Sequence, residues 1–80
     1  MLWFAPVRIK SAPGRMLEVK SVETALEQMR QWVDWPVPDK LAAAYVVCAR
    51  AIDNPTPEAI AEARQAFVEA AREAKVLREG

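Results

Sequence analysis

From Thr56 to Gly80 the chain carries one amphipathic pattern whose apolar face is built mostly from alanine. Ile60, Ala63, Phe67, Ala70, Ala71 and Ala74 recur at helical spacing and predict a helix over 57–77. A face of small side chains lets another element approach closely. The segment therefore reads as the tightly packed spine of the fold, and it constrains architecture more than chemistry.

Eighty residues make a single domain, 1–80, with a small core. Chains of this size often gain stability from a metal, from disulfides or from a second copy. The sequence has no histidine and one cysteine, Cys48, so neither a Cys/His zinc site nor an internal disulfide is available. A lone thiol fits a reducing, cytoplasmic setting. The apolar start, Met1-Leu2-Trp3-Phe4-Ala5, has no basic lead and is soon interrupted by Arg8 and Lys10, so it does not read as a secretory signal. The charge-free run from Leu41 to Ala49 is far below the ~20 residues that cross a bilayer. Formal charge is zero overall but uneven: residues 1–20 carry Arg8, Lys10, Arg15 and Lys20 against Glu18 alone.

Residues 3–10 alternate, with Trp3, Ala5, Val7 and Ile9 expected inward and Phe4, Pro6, Arg8 and Lys10 outward. Pro6 has no N–H and belongs on an edge or at a strand start. Ser11-Ala12-Pro13-Gly14 is a turn signal, and residues 15–20 resume as a strand with Leu17 and Val19 inward. Directly opposite residues share a face. A three-residue loop, 12–14, sets Ile9 opposite Leu17, Val7 opposite Val19 and Arg8 opposite Glu18, whereas five residues would oppose Arg8 and Lys20. The three-residue loop is the expectation, with Gly14 left-handed.

Ser21 caps a helix over 22–34, with Glu23 in its first turn and Val22, Ala25, Leu26, Met29, Trp32 and Val33 apolar. Trp35-Pro36-Val37-Pro38 ends it. Asp39 caps a second helix over 39–53, striped by Leu41, Tyr45, Cys48, Ala49 and Ile52 and closed by Asn54-Pro55, with Asn54 in the left-handed position. Thr56 caps the third, with Pro57 in its first position. The expected fold is α+β, a two-stranded antiparallel hairpin over 3–20 packed on three helices in the order β-β-α-α-α. Both hairpin strands are then edges that invite a partner strand.

Trp3, Pro6-Val7, a turn glycine, a capped helix carrying Ala25, Trp35-Pro36, Cys48 in an apolar helix and the run Ala63-Arg64, Phe67, Ala70-Ala71, Ala74 resemble the small bacterial proteins of domain-of-unknown-function family number 982. The resemblance spans roughly residues 3–77. It implies a compact α+β domain and no assigned activity, cofactor or catalytic residue. The chain departs from the family pattern at Asn54-Pro55-Thr56-Pro57, where a glycine and a shorter link are expected.

Cys48 is the sole nucleophile of high intrinsic reactivity, but it lies mid-helix on the apolar face with no histidine to activate it. It reads as a buried structural thiol. Glu58 with Glu62, and Glu69 with Glu73, share helix faces and read as solvated surface. Two glycines, Gly14 and Gly80, cannot form a phosphate-cradling loop. Arg64 sits at the border of the packed face and is expected to pair with Asp34, Asp39 or Glu23; its other reading is an exposed anion-binding group. Trp35, held between prolines, reads as a core plug or an interface anchor. Trp3 and Trp32 read as core.

No catalytic residue, cofactor or metal is expected. The chain reads as a non-enzymatic cytoplasmic interaction module that self-associates or binds another protein, with Phe4, Arg8, Lys10, Trp35 and Arg64 as candidate contacts. The alternative is a nucleic-acid-binding or regulatory protein using the basic hairpin.

Overall fold

The computed structural model describes residues 2–11, 15–31 and 38–78. The order is β1 (Trp3–Ser11), β2 (Arg15–Ser21), α1 (Val22–Gln31), α2 (Asp39–Asp53), α3 (Pro57–Glu73) and β3 (Leu77–Arg78). The architecture is α+β, as the sequence predicts, with one strand more than expected. The three strands form an antiparallel sheet in the order β2-β1-β3.

The hairpin register follows from charge and burial together. Val7 faces Val19, Ile9 faces Leu17 and Arg8 faces Glu18. Ser11 faces Arg15, which leaves three connecting residues, 12–14, as the like-charge argument requires. The left-handed conformation expected of Gly14 lies outside the described residues.

The start of β1 departs from the predicted alternation. Trp3 pairs with Ser21 and Val7 with Val19, so Phe4, Ala5 and Pro6 stand opposite Lys20 alone. Pro6 cannot donate to the ladder, and the irregularity sits where it interrupts. In consequence Trp3 is 63% exposed and not core. Ala5 and Pro6 are both exposed, and Phe4 packs half-buried against the core instead of lying outside. The strand is pinned to α1: Leu2 N–H donates to the Glu23 carboxylate (3.0 Å to Oε1), and Val22 N–H donates to the Leu2 carbonyl at 2.9 Å.

The helices begin where side chains accept their first amides. Thr24 N–H donates to Ser21 Oγ at 3.2 Å, and Ala59 N–H to Thr56 Oγ1 at 3.0 Å with Pro57 in the first turn. Helix α2 differs from expectation. Pro38 occupies the cap position without a side-chain bond, and Asp39 is an acid of the first turn, favourably placed at the positive helix end. Asn54 closes α2 with φ of −139°, which is not left-handed, while its N–H donates to the Arg50 carbonyl. The expected residues 32–34 of α1, with Trp32 and Val33, lie outside the described residues, as does Trp35.

Helix α3 stops at Glu73, short of the predicted residue 77. Lys75 N–H donates to the Arg72 carbonyl at 3.1 Å and Val76 N–H to the Ala71 carbonyl at 3.0 Å. This crossed pair of bonds is a Schellman closure, with Lys75 left-handed at φ 62°. The chain then turns back, and β3 pairs with the middle of β1: Arg8 faces Arg78 and Ile9 faces Leu77. Strand β1 is therefore central and not an edge over these residues.

The core joins Val7, Ile9 and Val19 of the sheet to Val22, Ala25, Leu26 and Met29 of α1. Leu41, Ala44, Cys48 and Ala51 of α2 and Ala63, Phe67, Ala70 and Ala71 of α3 complete it. Of the predicted α2 stripe, Ala49 and Ile52 face solvent, and Ala44 and Ala51 take their places. In α3, Ala74 is exposed.

Candidate functional site

Alternation along β1 and β2 sends Arg8, Lys10, Met16, Glu18 and Lys20 to the face away from the buried Val7, Ile9 and Val19, and all five are exposed. Arg78, directly opposite Arg8, adds to them. The charges of this face are held loosely. Arg8 Nε and Lys20 Nζ each lie 3.9 Å from a Glu18 oxygen, with side chains about half exposed. Such exposed pairs contribute about 0–1 kcal/mol each.

Arg64 is the candidate that the fold most changes. It projects from α3 over the start of β1, and its Nε donates to the Ala5 carbonyl at 3.0 Å. Neither expected acid within the described residues takes it. Glu23 is occupied by the Leu2 amide, and Asp39 makes no ion pair with it; Asp34 lies outside the described residues. The guanidinium is thus anchored by a backbone carbonyl, at a point where the irregular strand leaves that carbonyl available.

Beside Arg64 an open cleft of about 550 Å³ runs between α3 and the β1–β3 pair. Arg8, Arg64 and Arg78 line it, with Pro6, Val68 and Leu77 supplying apolar surface. Two strand elements and one helix therefore bring three guanidiniums to one place. The short β3 does this, and a helix predicted to run to 77 concealed it. A second hollow of about 430 Å³ adjoins, lined by Arg72, Lys75, Leu77 and Arg78.

Of the sequence candidates, the fold gathers Arg8 and Arg64, leaves Lys10 exposed on the sheet, and draws Phe4 toward the core. Trp35 lies outside the described residues. Cys48 is fully buried, and its thiol donates to the Ala63 carbonyl at 3.8 Å. Burial pushes the thiol up from its ordinary 9.0 to about 11, which disfavours the thiolate that nucleophilic or redox chemistry would need. Between α1 and α2, Arg30 Nε donates to the Tyr45 hydroxyl at 3.0 Å, and this bond raises the Arg30 pKa. Among the described residues no three His, Cys, Asp or Glu side chains are grouped to hold a metal ion. No described helix is long and apolar enough to cross a membrane.

No curated protein and no solved structure matches the chain. A family model does, that of the proteins of unknown function DUF982, over residues 5–78. The match takes in β1 from Ala5 onward, β2, all three helices and β3, and the chain belongs to that family.

Proposed function

We propose that the chain is a non-enzymatic interaction module of the bacterial cytoplasm that pairs with a second copy of itself through the outer edge of β2. One observation carries this reading. Strand β2 ends the sheet, so one side of it has no strand neighbour among the described residues.

The geometry of that edge selects a register. Lys10 N–H donates to the Val76 carbonyl, so the even residues of this part of β1 point their backbone groups to the β3 side. Residues 7, 9 and 11 then point toward β2 and engage 19, 17 and 15. The amides and carbonyls of Met16, Glu18 and Lys20 are left facing outward. A second β2 placed antiparallel about Val19 sets Glu18 of each copy opposite Lys20 of the other. Symmetry about Glu18 would instead oppose two carboxylates. Cross-strand pairs of opposite charge stabilise, and like pairs destabilise, by a few tenths to about 1 kcal/mol each. The same two residues thus favour one self-pairing and disfavour another.

The experiment is solution mass by light scattering at low and moderate salt. Wild type is expected at twice the chain mass. Glu18→Lys alone and Lys20→Glu alone should each shift toward monomer, and an equimolar mixture of the two should recover the dimer, because unlike charges then face each other throughout. A wild-type monomer at about 100 µM, or a dimer indifferent to both substitutions, would refute this reading.

A second reading, nucleic-acid binding, is favoured by the cations Arg8, Lys10, Lys20 and Arg78 gathered against Glu18 alone, with Trp3 exposed at the strand start. A salt-dependent shift of a labelled single-stranded oligonucleotide distinguishes it.

A further inference from the structure

We infer that the cleft between α3 and the β1–β3 pair is a binding site for a small organic anion, with a phosphate or carboxylate head and a compact apolar body.

Arg8 and Arg78 are direct cross-strand partners. Like charges in that relation destabilise a sheet. Here they lie on a pairing only two residues long, held by the Lys10–Val76 backbone bond and the packing of Val76 and Leu77 against that repulsion. Arg64 is a third cation beside them. Among the described residues no carboxylate lines the cleft, and the one acid that forms an ion pair with any of the three is Glu18, 3.9 Å from Arg8 on a solvent-exposed pair. An anion that accepts from these guanidiniums converts the repulsion into attraction.

The donors are also partly organised before any ligand arrives. Arg64 is tied through Nε to the Ala5 carbonyl by an exposed bond, which biases the orientation of its fork. Arg78 is tied through Nη1 to the Leu77 carbonyl at 3.1 Å. Planar guanidiniums held in this way suit the two-point recognition of phosphate or carboxylate. Biasing their orientation in advance lowers the ordering cost of binding.

The size and remaining walls define the ligand further. About 550 Å³ falls within the range of small-molecule clefts, and Pro6, Val68 and Leu77 give one side an apolar surface. An inorganic ion would leave that surface unused. The site is separate from the outer edge of β2, so its failure leaves self-pairing untouched.

The probe is phenyl phosphate, compared with inorganic phosphate and with chloride at matched ionic strength, read by thermal melting and titration calorimetry. Wild type is expected to gain at least about 3 °C with phenyl phosphate and less with inorganic phosphate. Arg78→Gln and Arg64→Gln should each weaken phenyl phosphate binding at least about threefold. In chloride alone Arg78→Gln should melt no lower than wild type, because it removes the like-charge pair, and this keeps the test independent of misfolding. No gain over chloride, or a gain that Arg78→Gln retains in full, would overturn the inference. So would binding confined to an oligonucleotide with phenyl phosphate inert.

Discussion

Alanine sets how near the elements lie. Ala25, Ala44, Ala51, Ala63, Ala70 and Ala71 are all buried, and they occupy the places where α1, α2 and α3 meet one another and the sheet. Their small side chains allow the Cys48 thiol on α2 to reach the Ala63 carbonyl of α3. That thiol carries a prediction at the same scale. It stays protonated in the fold up to about pH 11, whereas in the unfolded chain it ionises near its ordinary 9.0. A pKa raised by folding means that the folded chain holds the proton longer. The stability from this group is present in full below pH 9 and is lost as pH rises from 9 to about 11. The loss amounts to about 2–3 kcal/mol over that window. Urea unfolding of wild type and Cys48→Ala should therefore keep a constant offset below pH 9, and wild type should lose stability relative to the variant from pH 9 toward pH 11. Parallel curves across the range would show that the buried thiol has no such linkage.

Elements end where backbone bonds find new partners, and the end of α3 shows how a sequence can hide this. Lys75 adopts φ of 62° so that the Arg72 and Ala71 carbonyls are capped and Val76 turns back under the helix. A side chain bearing Cβ pays about 1–2 kcal/mol for that conformation, and glycine does not. Part of the difference returns as the greater entropy of glycine in the unfolded chain. Lys75→Gly should raise stability by about 0.5–1 kcal/mol in urea melts, and Lys75→Val should lower it. If both variants matched wild type, the left-handed closure would not govern this end. The same position explains what the sequence concealed. Helix signals run unbroken through Glu73, Ala74 and Lys75 with no glycine or proline, so β3 left no mark. Where side-chain chemistry declares itself, the reading holds: Ser21 and Thr56 cap, Pro57 opens α3, and Arg8 against Glu18 fixes the hairpin register. It fails at Trp3 and Phe4, because alternation presumes an unbroken ladder and Pro6 breaks it. Of the candidate cleft, Arg8 and Arg64 were visible one by one. Their meeting with Arg78 depends on a strand that only tertiary pairing creates.

At the scale of the whole molecule, β3 brings the end of the described chain onto its first strand, and so joins a basic beginning to the spine helix. Leu77 lies opposite the fully buried Ile9, and Val76 packs against the core while its carbonyl takes the Lys10 amide. Removing residues 75–80 would uncover Ile9, strip that amide of its partner and open the second side of β1. Two half-buried apolar side chains and one backbone bond together correspond to about 2–4 kcal/mol. The truncated chain should unfold at a correspondingly lower urea concentration; an unchanged midpoint would mean that the closing strand adds nothing to the fold. The truncation also separates the two surfaces. It deletes Arg78 and should abolish the stabilisation by phenyl phosphate, while the outer edge of β2 keeps Glu18 and Lys20. A shortened chain that melts earlier, ignores phenyl phosphate and still pairs with itself in a charge-dependent way is the expected result. If self-association disappears with β3 while the shortened chain remains folded, the contact between copies runs through the β1–β3 side and not through β2.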